Sequence, residues 1–260
     1  MNDKKVERSR YDDRALKLLS KGSFDKDTGS SSYSLPIRTP YLRYEEMHIE
    51  FIDNNDNVLE IGAGTGIHTH SLLETGAFVV ATDISTNSLQ IIKKKYKEYS
   101  DKLSTKVADM ESLPFDNETF DVVCSAGSLS YGDNQIVMNE IHRVLKPGGK
   151  LLTLEGNQEG VDELNQFREA YGLKPIPVRW HNRFLKNEEY ISFMKENGMK
   201  LVDEGGLGTY FFLTRGVRGI YEENPTWQSD FNKIANQKEM ADLLGFGHKF
   251  SRVKLWVFQK

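Results

Sequence analysis

Between residues 56 and 155 five short apolar or β-branched runs, NVLEIG, FVVATD, STKVAD, FDVVCS and KLLTLE, alternate with longer and more polar stretches. Runs of that length bounded by polar connectors read as strands, and the intervening stretches carry helical periodicity. In NSLQIIKKKYKEYS, residues 87–100, Leu89, Ile92 and Tyr96 share one face, and Lys93, Lys94 and Lys95 read as a solvated face. In DNQIVMNEIHRVLKPGGK the stripe is Val137, Met138, Ile141, Val144 and Leu145, and Pro147, Gly148 and Gly149 are expected to stop the helix. Strands that are apolar on both faces and alternate with helices form a parallel sheet covered on each side by right-handed crossovers. The fold class predicted is therefore α/β.

Outside that block the pattern loosens. The segment KGSFDKDTGSSSYSLP, residues 21–36, concentrates turn formers between two short amphipathic stretches. Beyond residue 156, LKNEEYISFMKENG reads as a helix, MKLVDEGG as a strand, and SRVKLWVFQK as a strong final strand. Residues 209–248 hold seven aromatics without clear strand pairing.

Bulk properties narrow the function classes. With 260 residues a full core can be buried without staples, and a net charge of −4 supplies no general attraction for nucleic acid or anionic lipid. The single cysteine, Cys124, excludes an intramolecular disulfide and a cysteine-built zinc site. No metal site is expected. The charged N-terminal MNDKKVERSR and the lack of a long apolar run predict a cytoplasmic protein without a membrane anchor. A homodimer is an admissible assembly.

The first strand runs into VLEIGAGTGIHTH, residues 58–70. Glycines there let a ligand approach the backbone closely, and the helix that follows presents free amide donors. Asp83 ends the second strand 21 positions after Gly62, where a carboxylate can accept from adenosine ribose hydroxyls. The dinucleotide fingerprint would place glycine at position 67, but this chain has Gly62, Gly64 and Gly66 followed by Ile67. Asp109, after the third strand, can accept from an adenine amine, and Glu60 suits a ligand carrying an ammonium and a sulfonium. The balance favours S-adenosylmethionine over NAD.

VLEIGAGTG, VVATDIS, VADMESLPFDNETFDVVCSAGSLSY and EIHRVLKPGGKLLTLE together resemble the successive motifs of class I S-adenosylmethionine-dependent methyltransferases, in particular the small-molecule branch with quinone and sugar methyltransferases. The resemblance implies a Rossmann-like seven-stranded sheet in the order 3-2-1-4-5-7-6 with the last strand antiparallel. It also implies an N-terminal helical segment and a C-terminal cap insertion. Residues 1–55 would be a lid segment and 56–260 the methyltransferase domain, with 157–185 and 209–248 as substrate-side insertions. Carried over by motif, Glu60, Gly62, Ala63 and Gly64 would line the methionine part of the cofactor. Asp83 and Ile84 would meet the ribose and Asp109 and Met110 the adenine, with main-chain contacts from Ser125 and Ala126.

Methyl transfer from a sulfonium is an in-line displacement in which positioning does most of the work, and a hydroxyl acceptor also needs a base. Candidates are His181, in the variable region after the fifth strand, and Tyr131, after CSAGSLS, both expected to face the acceptor. His68 is assigned at most a cofactor-side role. Arg215 and Arg218, three apart, could clamp an anionic group, and Tyr33, Tyr41 and Arg43 lie in the segment that folds over the cofactor in relatives. The expected acceptor is a small polar metabolite, a sugar or an anionic sugar derivative, methylated on O or N. Protein or nucleic-acid methylation, and a non-catalytic S-adenosylmethionine-binding module, are the alternatives. Against nucleic acid, CSAGSLSY lacks the N-P-P-Y or D-P-P-Y loop of adenine amino-methylating families.

Overall fold

A computed structural model describes the backbone of residues 3–21, 35–176, 184–207 and 253–260. Seven strands form one sheet in the order β3-β2-β1-β4-β5-β7-β6. They are β1 Asn57–Ile61, β2 Phe78–Asp83, β3 Leu103–Val107, β4 Phe120–Ala126, β5 Leu145–Gly156, β6 Lys200–Leu207 and β7 Val253–Gln259. β1 to β5 pair in parallel, whereas β7 is antiparallel to both β5 and β6. The implied order and the antiparallel final strand are both observed.

The helices are α1 Asp3–Lys21, α2 Leu35–Phe51, α3 Thr69–Glu74, α4 Thr86–Lys95, α5 Asn134–Val144, α6 Gln158–Ala170 and α7 Asn187–Glu196. None of the described helices is long and apolar enough to cross a membrane. Two apolar layers sandwich the sheet. One packs Tyr44, Met47, Leu72, Leu89 and Ile92 against Val58, Val79 and Cys124; the other packs Val137, Met138, Ile141, Tyr190 and Met194 against Leu59, Val123, Trp256 and Phe258. Alternate residues of one strand thus enter opposite layers, as the pleat requires.

Three local expectations shift. The helix after β2 closes at Lys95 and continues as a 3₁₀ turn, Lys97–Tyr99. Lys95 is only half exposed, with Nζ 3.3 Å from the Gly66 carbonyl, so the lysine run is not uniformly solvated. α5 ends at Val144, before Pro147, because the residue preceding a proline is pushed out of the helical region. Residues 146–149 are then absorbed as an irregularity in the β4–β5 pairing. At the N-terminus the short amphipathic stretch belongs to a helix of 19 residues that packs on α4.

Candidate active site

The parallel strands β1, β2 and β4 end at one edge of the sheet, and the turns leaving them bound one cavity. β1 runs into Gly62, Gly64 and Gly66, all with φ between +55° and +80°. Only glycine adopts that backbone readily. Gly62 also has no room for a side chain: a Cβ there would lie 2.4 Å from Ser128 Cβ.

Two lobes meet at Tyr11, Ile61, Gly62, Ala126 and Gly127. The larger, of about 300 Å³, adds Glu60, Ala63, Gly64, Tyr41, Tyr44, His68 and Phe184. The smaller, of about 80 Å³, adds Glu7, Asp83, Ile84, Met110 and Tyr131. Of the expected cofactor residues, Glu60, Ala63 and Gly64 line the larger lobe, Asp83, Ile84 and Met110 the smaller, and Gly62 and Ala126 both.

Both carboxylates are held by their neighbours. Asp83 accepts from the Gly64 amide through Oδ2 and from the Ser85 amide through Oδ1, each at 2.8 Å. A carboxylate offers about four lone-pair sites, so capacity remains for a hydroxyl donor. Burial lifts Asp83 above the ordinary aspartate range, opposed by those two amides. Glu60 is 5% exposed and its Oε2 accepts from Thr69 Oγ1 at 2.6 Å. Burial pushes its pKa up to about 8, with Thr69 and Lys95 pulling the other way and Asp83 adding to the rise. A cationic ligand group beside it would restore the charged form. These two acids and the open glycine backbone fit the adenosyl and amino-acid parts of S-adenosylmethionine.

Other expected residues stand elsewhere. Asp109 does not line the cavity: its Oδ1 accepts from the Glu111 amide at 3.0 Å and its Oδ2 meets Lys4 Nζ at 2.6 Å. The tight Asp109–Ser112 turn draws the side chain back on its own backbone. Ser125 is buried behind the wall, with Oγ 2.6 Å from Ser128 Oγ. Arg43 pairs with Glu46 and Glu50 on the exposed face of α2, opposite Tyr44 and His48, so the structure does not bring it to the cavity. Tyr131 lines the smaller lobe, with its hydroxyl 3.4 Å from Arg10 Nη2, because the 3₁₀ turn after β4 curls toward α1. It thus stands with Asp83 and Met110 rather than in the lobe holding Glu60. Tyr33, His181, Arg215 and Arg218 lie outside the described residues.

α1 supplies residues that sequence reasoning missed. Glu7, Tyr11 and Arg14 share one face at i, i+4 and i+7, and all three line the cavity. That polar stripe in VERSRYDDRA was the available signal. α2 contributes Tyr41 and Tyr44 on either side of His68, at centroid distances of 5.5 and 5.2 Å, and Glu45 Oε1 lies 3.3 Å from His68 Nδ1. A carboxylate on one ring nitrogen fixes the ring's orientation.

The comparisons with known proteins agree with this geometry. The family described as "Methyltransferase domain" matches residues 59–153. A demethylmenaquinone methyltransferase of Clavibacter sepedonicus is 34% identical over 176 residues, 66% of this chain and 69% of that protein. A ubiquinone/menaquinone biosynthesis C-methyltransferase of Pectobacterium carotovorum is 30% identical over 132 residues, 48% of this chain and 53% of that protein, so that match spans about half the relative's length. Among solved structures, a geranyl diphosphate C-methyltransferase of Streptomyces coelicolor superposes with a TM-score of 0.57 at 17% identity, covering 84% of this chain and 76% of that one. Its identity is low enough that it speaks for the fold alone. Motif order, sheet topology and sequence kinship converge, and the chain belongs to the class I S-adenosylmethionine-dependent methyltransferases.

Proposed function

We propose that this chain transfers the methyl group of S-adenosylmethionine to an oxygen or nitrogen of a small polar metabolite. The observation that carries this is the pair of buried carboxylates, Glu60 and Asp83, at the ends of adjacent strands with the glycine loop between them. Glu60 suits the cofactor's ammonium, Asp83 its ribose, and Met110 and Ile84 an apolar base plane. When bound, the cofactor supplies an electrophilic methyl on a sulfonium. The protein's part is to orient the acceptor in line with that bond and to exclude water.

The acceptor is assigned to the larger lobe. Arg14 lines it and suits an anionic group, a role that Arg215 and Arg218 in the 209–248 insertion are proposed to share. His181 is proposed as the acceptor base, and a sugar or anionic sugar derivative is the favoured acceptor class. A second reading has support in the lining itself. Tyr11, Tyr41 and Phe184 offer faces on which a planar quinol could stack, as the names of the menaquinone-pathway relatives suggest.

Thermal shift with S-adenosylhomocysteine and NAD side by side tests the cofactor. Stabilisation by S-adenosylhomocysteine is expected, and stabilisation by NAD alone would overturn the reading. A screen of sugar nucleotides, amines, phenols and hydroquinones, read as homocysteine release, separates the two acceptor classes.

A further inference from the structure

Glu155, at the C-terminal end of β5, is wholly buried and lines neither lobe. Its Oε1 accepts three hydrogen bonds, each 3.1 Å long, from Ser125 Oγ, the Ser128 amide and the Leu129 amide. Among the described residues Oε2 has no hydrogen-bond partner. All three donors belong to β4 and the turn that leaves it. Ala126 and Gly127 in that turn line both lobes, and Ser128 lines the smaller one.

The same serine is braced against the first strand. Ser128 Oγ lies 2.6 Å from Ser125 Oγ and 3.2 Å from the Ile61 carbonyl. Its Cβ occupies the space that any side chain at Gly62 would need. One buried carboxylate oxygen therefore suspends the cavity floor directly against the glycine loop.

We propose that Glu155 is the positioning residue of the cofactor floor: by gathering Ser125, Ser128 and Leu129 on one oxygen it sets how closely the Ala126–Ser128 turn stands to Gly62, and so the affinity for the adenosyl amino acid. The proposal rests on the S-adenosylmethionine reading. Three donors converge well on one oxygen when it is charged, because bonds to an ionised acceptor are roughly twice as strong as neutral ones. Glutamine would keep an acceptor at Oε1 but lose that charge, and its amide N–H groups would replace the unpartnered Oε2.

The arrangement also gives the floor a dependence on pH. Burial pushes Glu155 up to about 7, against the pull of its donors. The other titratable groups facing it among the described residues are Tyr44 of α2, Tyr190 of α7 and Lys254 of β7. Both tyrosines are raised by burial and stay neutral, and Lys254 Nζ is bound to Glu204 at 2.8 Å. Protonation of Glu155 weakens Oε1 as an acceptor, so the floor loosens as pH falls through neutrality.

Calorimetric titration of the full chain with S-adenosylhomocysteine at about pH 6 and about pH 8.5 tests this. Glu155→Gln is expected to bind about 10-fold more weakly at the higher pH, and its affinity to change less between the two than that of the wild type. The slope that remains belongs to Glu60. Wild-type affinity in Glu155→Gln, or parallel pH profiles, would overturn the proposal. Should the variant not fold, amide exchange in the wild type decides: protection at Ser128 and Leu129, taken relative to core amides such as those of Val123 and Leu151, falls at the lower pH, and a constant or rising ratio sinks the idea. Wild-type protein that binds no S-adenosylhomocysteine at either pH would overturn the S-adenosylmethionine reading and this inference with it, whereas normal wild-type binding with an indifferent Glu155→Gln overturns this inference alone.

Discussion

The Gly64 amide donates to Asp83 Oδ2 at 2.8 Å, so the glycine loop after β1 and the end of β2 hold one another in register across the mouth of the cavity. Asp83→Ala removes the proposed ribose acceptor and strands the buried Ser85 amide and the half-buried Gly64 amide. An unsatisfied buried donor costs about 1–3 kcal/mol. The variant is expected to lose affinity for S-adenosylhomocysteine by at least about 10-fold and to melt earlier than wild type. Unchanged calorimetric affinity would remove Asp83 from the ribose site.

Glu60 makes a prediction about pH. In the unfolded chain it loses its proton near the ordinary 4.5, whereas burial holds the proton up to about 8 in the folded protein. Across that window the folded state binds the extra proton, so the group lowers stability progressively as pH rises, and no further above about 8. Glu155 acts in the same direction up to about 7. Glu60→Gln should therefore raise the unliganded melting temperature at high pH and leave it near wild type in acid. A wild-type-like melting profile across the range would show that Glu60 does not titrate as stated.

The same carboxyl should release a proton when the cofactor binds near neutral pH, since an ammonium beside it favours the charged form. Titration with S-adenosylhomocysteine in two buffers of different ionisation enthalpy measures that release. Glu60→Gln should reduce it to the share that Glu155 supplies, and equal release from both proteins would place the titrating group elsewhere.

Two glycines of one loop are expected to respond differently to alanine. Gly62→Ala meets Ser128 Cβ at 2.4 Å and also carries a φ of +65°, so both overlap and backbone strain oppose it. Gly64→Ala, at φ +55°, meets nothing within 4 Å and bears strain alone. Denaturant unfolding should show a loss of about 3 kcal/mol or more for the first and about 1 kcal/mol for the second. Equal losses would mean that the Ser128 contact is not what excludes a side chain.

For the acceptor base, His181→Ala is expected to lower turnover about 100-fold or more while leaving S-adenosylhomocysteine affinity intact. Wild-type turnover in that variant would move attention to His68, which faces the larger lobe with Nδ1 3.3 Å from Glu45.

What could be read from the sequence follows the range of each interaction. The strands, the glycine loop and the positions of Asp83 and Met110 are fixed by local periodicity and by strand-to-turn chemistry, which a linear reading contains. Asp109, expected at the adenine, serves its own backbone and Lys4, which lies 105 residues away, and that choice is not contained in local spacing. Tyr131, expected to face the acceptor, lines the smaller lobe, and the direction of the 3₁₀ turn that carries it there leaves no mark in side-chain spacing. Glu155 looked like one more residue of an apolar strand. Its task depends on a turn nearly 30 residues earlier, which only the β4–β5 pairing brings beside it.

Among the described residues β6 pairs with β7 alone, and β7 enters between it and β5 and begins 46 residues after β6 ends. Closing a span of that kind grows only with the logarithm of its length, roughly 0.6 kcal/mol for each doubling. Both ends of the 208–252 stretch are pinned by one antiparallel ladder. The closure that joins β6 to β7 is therefore settled at the antiparallel side of the sheet, and the five parallel strands that carry the glycine loop pair among themselves without it.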